Sequence, residues 1–139
     1  MYKWVVCIFV FFASLSLQGQ NEEEKADPQI SIYFGGGSYY IDRGQTQKLS
    51  DFLEKINILN DYEIIIHSHT DNIGSMEYNK WLSRMRSESA ILKLMESEIP
   101  RDMIHIEDFG EKDPVYDNDY YLGKLKNRRV DIIFRLIIP

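Results

Sequence analysis

Apolar and polar positions along the chain repeat with readable periods. Gln29 to Phe34 (QISIYF) alternates apolar and polar side chains, as a strand does, and Gly35-Gly36-Gly37 breaks the alternation. From Gln47 to Ile58, Leu49, Phe52, Leu53 and Ile56 recur at helical spacing; Asp42 can cap this helix and Asn60-Asp61 ends it. Glu63 to His67 (EIIIH) is a β-branched run suited to a buried central strand. His69 to Gly74 reads as a polar loop. Ser75 to about Ser97 reads as a long helix with Leu82, Met85, Ala90, Leu92 and Leu94 among its apolar positions, stopped by Pro100. Met103 to Phe109 alternates again. Gly110 to Lys126 is a loop rich in Asp, Tyr and Gly, and Arg129 to Ile138 is a strong final strand.

The order β-α-β-α-β-loop-β predicts an α+β fold: a two-layer β-α-β-α-β-β sandwich, with a mixed four-stranded sheet carrying two main helices on one face. The last two strands are expected to pair as neighbours across the long loop. Ahead of this domain (residues 29–139) stand two segments of different character. Residues 1–20 open with Met1-Tyr2-Lys3, continue through the apolar run Trp4 to Leu17, and turn polar at Gln18-Gly19-Gln20, the layout of a secretory signal. The apolar run is 14 residues, short of the roughly 20 a membrane-spanning helix needs, so no span is expected in the mature chain; the alternative is a retained N-terminal anchor. Residues 21–28 (NEEEKADP) form an acidic leader. The single cysteine, Cys7, lies early in the apolar run, not at its end where a lipid acceptor belongs, and reads as a small apolar residue. Without it the domain has no disulfide, and its fold must rest on its core. Export places the protein in the periplasm or cell envelope, compatible with outer-membrane association.

The formal net charge of −6 argues against nucleic acid, whose phosphates call for a basic footprint, and against adhesion to an anionic membrane surface. No nucleophile arrangement, phosphate loop or paired-carboxylate motif stands out, so the chain reads as non-enzymatic and without cofactor. Structural zinc wants four close ligands. With cysteine missing from the domain, His69 reads as a packed support for its loop and His67 as an ordinary strand position; no metal is expected.

The informative stretch is His67 to Ser87 (HSHTDNIGSMEYNKWLSRMRS). Asn79, Leu82, Ser83 and Arg86 are spaced three, four and seven apart and share one helical face. That stripe is polar where a core face would be apolar, and Trp81 and Met85 lie to its side. Asp71 and Asn72 sit on the loop leading into the helix, a place where ligand sites concentrate. Arg86 has no acid at i+4 to pair with, so local ion pairing does not explain it.

With Ser68-His69-Thr70-Asp71-Asn72-Ile73-Gly74, then Asn79-x-x-Leu82-Ser83-x-x-Arg86-Ser87, the chain resembles the OmpA-like peptidoglycan-binding domain family. Two further blocks agree: Ile32 to Ser38 near the start, and Gly110, Pro114 and Asn127-Arg128-Arg129-Val130 near the end. The match runs from about Ile30 to Ile138. Ser68 stands for a usual glycine, Ser87 for a usual alanine and Lys124 for a common arginine, and the glycine-rich first loop lacks an acid often found there. The resemblance implies non-covalent binding of the diaminopimelate in peptidoglycan stem peptides, tethering an envelope component to the wall. It further implies that Asp71 accepts hydrogen bonds from the ligand's ammonium and that Arg86 pairs with its carboxylate. Asn79 and Thr70 would supply neutral hydrogen bonds, and Arg128 a second basic group, ahead of Arg129. The alternative is an envelope assembly module that keeps the fold and binds a protein partner instead of the wall.

Overall fold

The computed structural model describes residues 26–56, 62–112 and 114–137. The expected signal (1–20), the first part of the leader, the expected helix end at Asn60-Asp61 and Ile138, the last residue of the expected final strand, lie outside them. The elements in chain order are β1 (Gln29–Tyr33), α1 (Arg43–Lys55), β2 (Tyr62–His69), α2 (Met76–Glu96), β3 (Ile104–Gly110), α3 (Tyr121–Asn127) and β4 (Arg129–Leu136). Among these helices none is long and apolar enough to cross a membrane.

Local chemistry sets the helix ends. Asp42 caps α1, its carboxylate accepting from the Gln45 amide at 2.8 Å, so the helix starts four residues before the apolar spacing becomes visible. Ser75 caps α2 by accepting from the Tyr78 amide at 3.1 Å. The segment expected as loop contains the short helix α3. Gly123 stands inside it because a Cβ there would lie 1.7 Å from the Asp117 carbonyl oxygen. Asn127 clasps the preceding loop, accepting from the Tyr116 amide and donating to the Tyr116 carbonyl and the Asn118 side chain.

The four strands form one mixed sheet in the order β1-β4-β2-β3. The expectation that the last two strands pair as neighbours is therefore overturned. β4 inserts between β1 and β2, antiparallel to both, while β3 pairs parallel with β2 at the edge. The burial pattern explains the placement: Val130, Ile132 and Phe134 of β4 are fully buried, and a strand this apolar belongs in the middle. β1 and β3 point Ser31, His105 and Glu107 away from the core and tolerate the edge. Ile32, Ile64, Ile66, Ile132 and Phe134 pack against Leu49 from α1 and Ala90, Ile91 and Leu94 from α2 in one core, which places both main helices on the same face.

One consequence of this topology locates the site. β1, β2 and β3 all run toward the end of the sheet where β4 begins. The registers Tyr33↔Arg129, Ser68↔Val130 and His69↔Gly110 bring the β1–α1 loop, the β2–α2 loop, the end of β3 and Arg128 to that one end.

Candidate functional site

The N-terminal half of α2 carries the polar stripe, and it packs inward. Asn79, Leu82, Ser83, Arg86 and Ser87 are all buried, whereas Leu92 is exposed. The stripe's polarity is thus not the mark of an outer face. It is matched by polar partners from the sheet: Ser68 Oγ donates to the Ser83 carbonyl at 2.7 Å, Ser87 Oγ donates to Asp108, and Asn79 Nδ2 donates to Glu111 Oε2 at 2.7 Å. The two serines that stand where the related pattern has glycine and alanine are therefore both tied into the packing of α2.

Among the described residues Arg86 is the largest fully buried side chain, 1% exposed. Its Nε donates to the Ser38 carbonyl at 2.9 Å, Nη1 to the His69 carbonyl at 3.0 Å and Nη2 to the Gly35 carbonyl at 3.1 Å. The guanidinium also lies over the Phe34 ring, 5.0 Å from its centroid. One side chain thereby joins α2 to the loops after β1 and β2. Burial pushes the Arg86 pKa down to about 10; the Asp71 carboxylate offsets part of this, and Arg128 adds to the lowering. Arg86 still carries its charge at neutral pH.

Asp71 sits at the end of β2. Its Oδ1 accepts from the Ile73 amide at 3.2 Å, and its Oδ2 accepts from Arg128 Nε at 2.6 Å. Both partners of this ion pair are largely buried, with side chains 9% and 12% exposed. Gly36 makes room for it: a Cβ there would stand 3.4 Å from Arg128 Nη1. Thr70 is anchored by its amide, which donates to the Gly110 carbonyl at 2.7 Å, while its hydroxyl and the Asn79 side-chain oxygen are buried without a hydrogen-bond partner. Gly74, at φ 103°, turns the chain into α2 beneath the Tyr78 ring.

Asp71, Arg86, Arg128, Thr70 and Asn79 are thus gathered at one end of the sheet, with Asp71 bonded to Arg128 and its charge felt by Arg86. Asp71 takes Arg128 as its direct partner, while Arg86 is held by main-chain oxygens. Arg129 points to the other side of the sheet, where it chelates Asp131 and lies over Tyr116. The three histidines face three different carboxylates, His67 with Glu107, His69 with Asp131 and His105 with Glu63. His69 also stacks on Phe109. Among the described residues no three His, Cys, Asp or Glu side chains converge on a metal position. Sequence reasoning missed Glu111, the partner of Asn79, and Tyr78, whose ring spans the two glycine loops. Nothing in the periodicity marks either, since each is defined by a residue remote in the chain.

A family model, described as the OmpA family, matches residues 33–128. Among curated proteins, the outer-membrane lipoprotein YfiB of Pseudomonas aeruginosa is 29% identical over 102 residues, which cover 73% of this chain and 61% of that one. The peptidoglycan-associated lipoprotein of Buchnera aphidicola is 27% identical over 112 residues, covering 81% and 65%. The chain thus spans somewhat less than two thirds of the length of either relative. Among solved structures, the peptidoglycan-associated lipoprotein from Burkholderia pseudomallei superposes with a TM-score of 0.64 at 24% identity, over 76% of this chain and 89% of that one. The C-terminal domain of Helicobacter pylori MotB gives 0.69 at 18% identity, over 76% and 84%. At such identities these two establish the fold.

Proposed function

Because this chain belongs to the OmpA family, we propose that it is a non-enzymatic module that binds peptidoglycan through the diaminopimelate of the stem peptide and tethers an envelope component to the wall. The observation that carries the reading is the cluster of one buried carboxylate, Asp71, one buried guanidinium, Arg86, and one largely buried guanidinium, Arg128, at a loop-lined end of the sheet. A zwitterionic amino-acid centre needs that complement: an anion for its ammonium and a planar cation for its carboxylate.

Binding at this cluster is an exchange. Arg128 occupies the place on Asp71 that a ligand ammonium takes, and the Gly35 and Ser38 carbonyls occupy the places on Arg86 that carboxylate oxygens take. The ammonium displaces Arg128, which turns to the carboxylate; Arg86 contributes its charge from behind, and joins directly where the glycine loop gives way. Thr70 and Asn79, each with an unpartnered buried oxygen, supply neutral hydrogen bonds once the loops shift. Because internal bonds are surrendered for external ones, single-stem capture is weak and reversible, and several copies strengthen it. The names of the relatives, outer-membrane and peptidoglycan-associated lipoproteins, support an envelope location for this chain after export.

The test is cosedimentation of the purified protein with diaminopimelate-type peptidoglycan, competed by soluble diaminopimelate. Asp71→Asn and Arg128→Ala should each lose the wall while keeping a native circular-dichroism spectrum. Undiminished pelleting of both variants would remove the site, and failure of the parent to pellet would remove the reading.

One observation favours the second reading, a protein-binding envelope module. Val115, Tyr120, Tyr121 and Leu122 are each more than 60% exposed around the start of α3. On that reading the parent should cross-link to an envelope protein and fail to pellet with the wall, and replacing Tyr121 and Leu122 by serine should abolish the cross-link.

A further inference from the structure

Three aromatic side chains stand beside the charged cluster and outside the hydrophobic core. Trp81 is 46% exposed, and Tyr39 and Tyr78 are each 41% exposed. They hold one another: Trp81 meets Tyr39 edge-on at 5.9 Å between centroids and lies tilted against Tyr78 at 5.7 Å. Tyr78 connects the trio to the site. Its hydroxyl is 3.2 Å from where a Cβ of Gly37 would be, and its Cδ1 is 3.0 Å from the equivalent point on Gly74. Its ring therefore bridges the two glycine loops that frame Asp71 and Arg86. Leaving three contiguous aromatic faces half in water is unfavourable, since each could bury a large apolar area elsewhere.

We propose that Trp81, with Tyr39 and Tyr78, forms a stacking platform for a sugar ring of the glycan strand that carries the stem peptide. This rests on the reading that the charged cluster takes the stem. A stem peptide in the wall is covalently joined to an amino sugar, so a site that holds the stem keeps a pyranose ring in its neighbourhood. The axial C–H bonds of a pyranose face form an apolar, slightly positive surface, which complements the electron-rich face of an indole or phenol. Trp81 lies on the rigid helix α2, two residues from Asn79, so the platform keeps a fixed distance from the cluster. The neutral sugar asks for no charge, and the trio offers none.

The chain has two tryptophans, Trp4 and Trp81. In the full chain carrying Trp4→Phe, held in mild detergent, the remaining indole reports on the platform. Two probes are titrated: a sugar-free stem tetrapeptide containing diaminopimelate, and the same stem on its disaccharide. The disaccharide form should bind roughly three- to tenfold tighter, the range of one aromatic contact, and should alone shift Trp81 emission. By calorimetry, Trp81→Ala should erase that difference and leave the tetrapeptide affinity unchanged, and Trp81→Phe should restore part of it. Equal affinities of the parent for the two probes would overturn the platform while leaving stem binding intact. A loss of tetrapeptide affinity in Trp81→Ala equal to the loss for the disaccharide form would overturn it too, by making the trio a support for the pocket. If neither probe binds the parent, the wall reading itself fails and the platform goes with it.

Discussion

Arg86→Ala tests whether the buried guanidinium is a structural keystone as well as part of the charged cluster. The substitution removes three charge-assisted hydrogen bonds, to the carbonyls of Ser38, His69 and Gly35, and the contact with Phe34. Each such bond contributes about 1.5–3 kcal/mol, and a buried carbonyl left unpaired costs about 1–3 kcal/mol. Against this, the charge is itself disfavoured by burial, as its pKa of about 10 records, and an alanine relieves that penalty. Removing one partner from a buried charged network nets about 3–5 kcal/mol of destabilisation, and we expect that range here. With a urea m-value of about 1–3 kcal/mol/M, the midpoint should fall by roughly 2 M. Arg86→Lys keeps the charge but cannot serve three carbonyls at fixed angles, so its midpoint should lie between those of the parent and the alanine variant. The assay is equilibrium urea unfolding followed by circular dichroism. A midpoint for Arg86→Ala within a few tenths molar of the parent would refute the reasoning, because the buried His69 carbonyl and the part-buried Ser38 and Gly35 carbonyls cannot lose such a donor at no cost. Loss of wall binding in that variant alone is therefore no measure of ligand contact, and Asp71 and Arg128 are the better probes.

Gly74→Ala places a Cβ at φ 103°, 3.0 Å from the Tyr78 ring; thermal unfolding should show a loss of about 1–3 kcal/mol. Ser68→Ala removes the hydroxyl that satisfies the Ser83 carbonyl and should cost about 1–2 kcal/mol in the same assay. Asn127→Ala releases the clasp on the loop through Tyr116 and Asn118, and amide exchange should accelerate between residues 114 and 120 while the β2 core amides keep their protection.

Strands were legible in the sequence where alternation is strong, and the long helix was legible from its cap to its proline. What short-range pattern could not supply was partnership. α3 went unread because its seven residues are too few for the spacing of Tyr121, Leu122 and Leu125 to stand out, and they contain Gly123, a residue that normally weakens a helix; the reason for that glycine is the Asp117 carbonyl, a tertiary contact. β4 was read as a strand but placed at the wrong neighbour, since nothing local distinguishes an edge from the middle of a sheet beyond the depth of its apolar face. The polar stripe on α2 shows the same limit from the other side. Spacing put Asn79, Leu82, Ser83 and Arg86 on one face, and its polarity argued against the core. They are buried because their partners, from Gly35 to Glu111, arrive from three other segments. Similarity in motif could group Asp71, Arg86 and Arg128, but it did not reveal that Asp71 engages Arg128 directly while Arg86 is held by backbone.

That division of labour bears on selectivity. An ammonium alone, such as a simple amine, can reach Asp71 only by evicting Arg128, and a largely buried guanidinium without an anion is costly. A carboxylate alone meets Arg128 only by drawing it from Asp71, leaving a largely buried carboxylate unpaired. A ligand with both groups on one carbon exchanges a single internal ion pair for two external ones, and neither protein charge is stranded. On the proposed reading, then, the Asp71–Arg128 pair is the element that rejects half-matched ligands. Arg86, bonded to three carbonyls, ties both loops to α2, so they shift only as far as ligand contacts replace those bonds. Preference for an amino-acid centre follows from the pre-existing pair even though the net attraction for it is small, because selectivity is set by what the wrong ligand leaves unpaired.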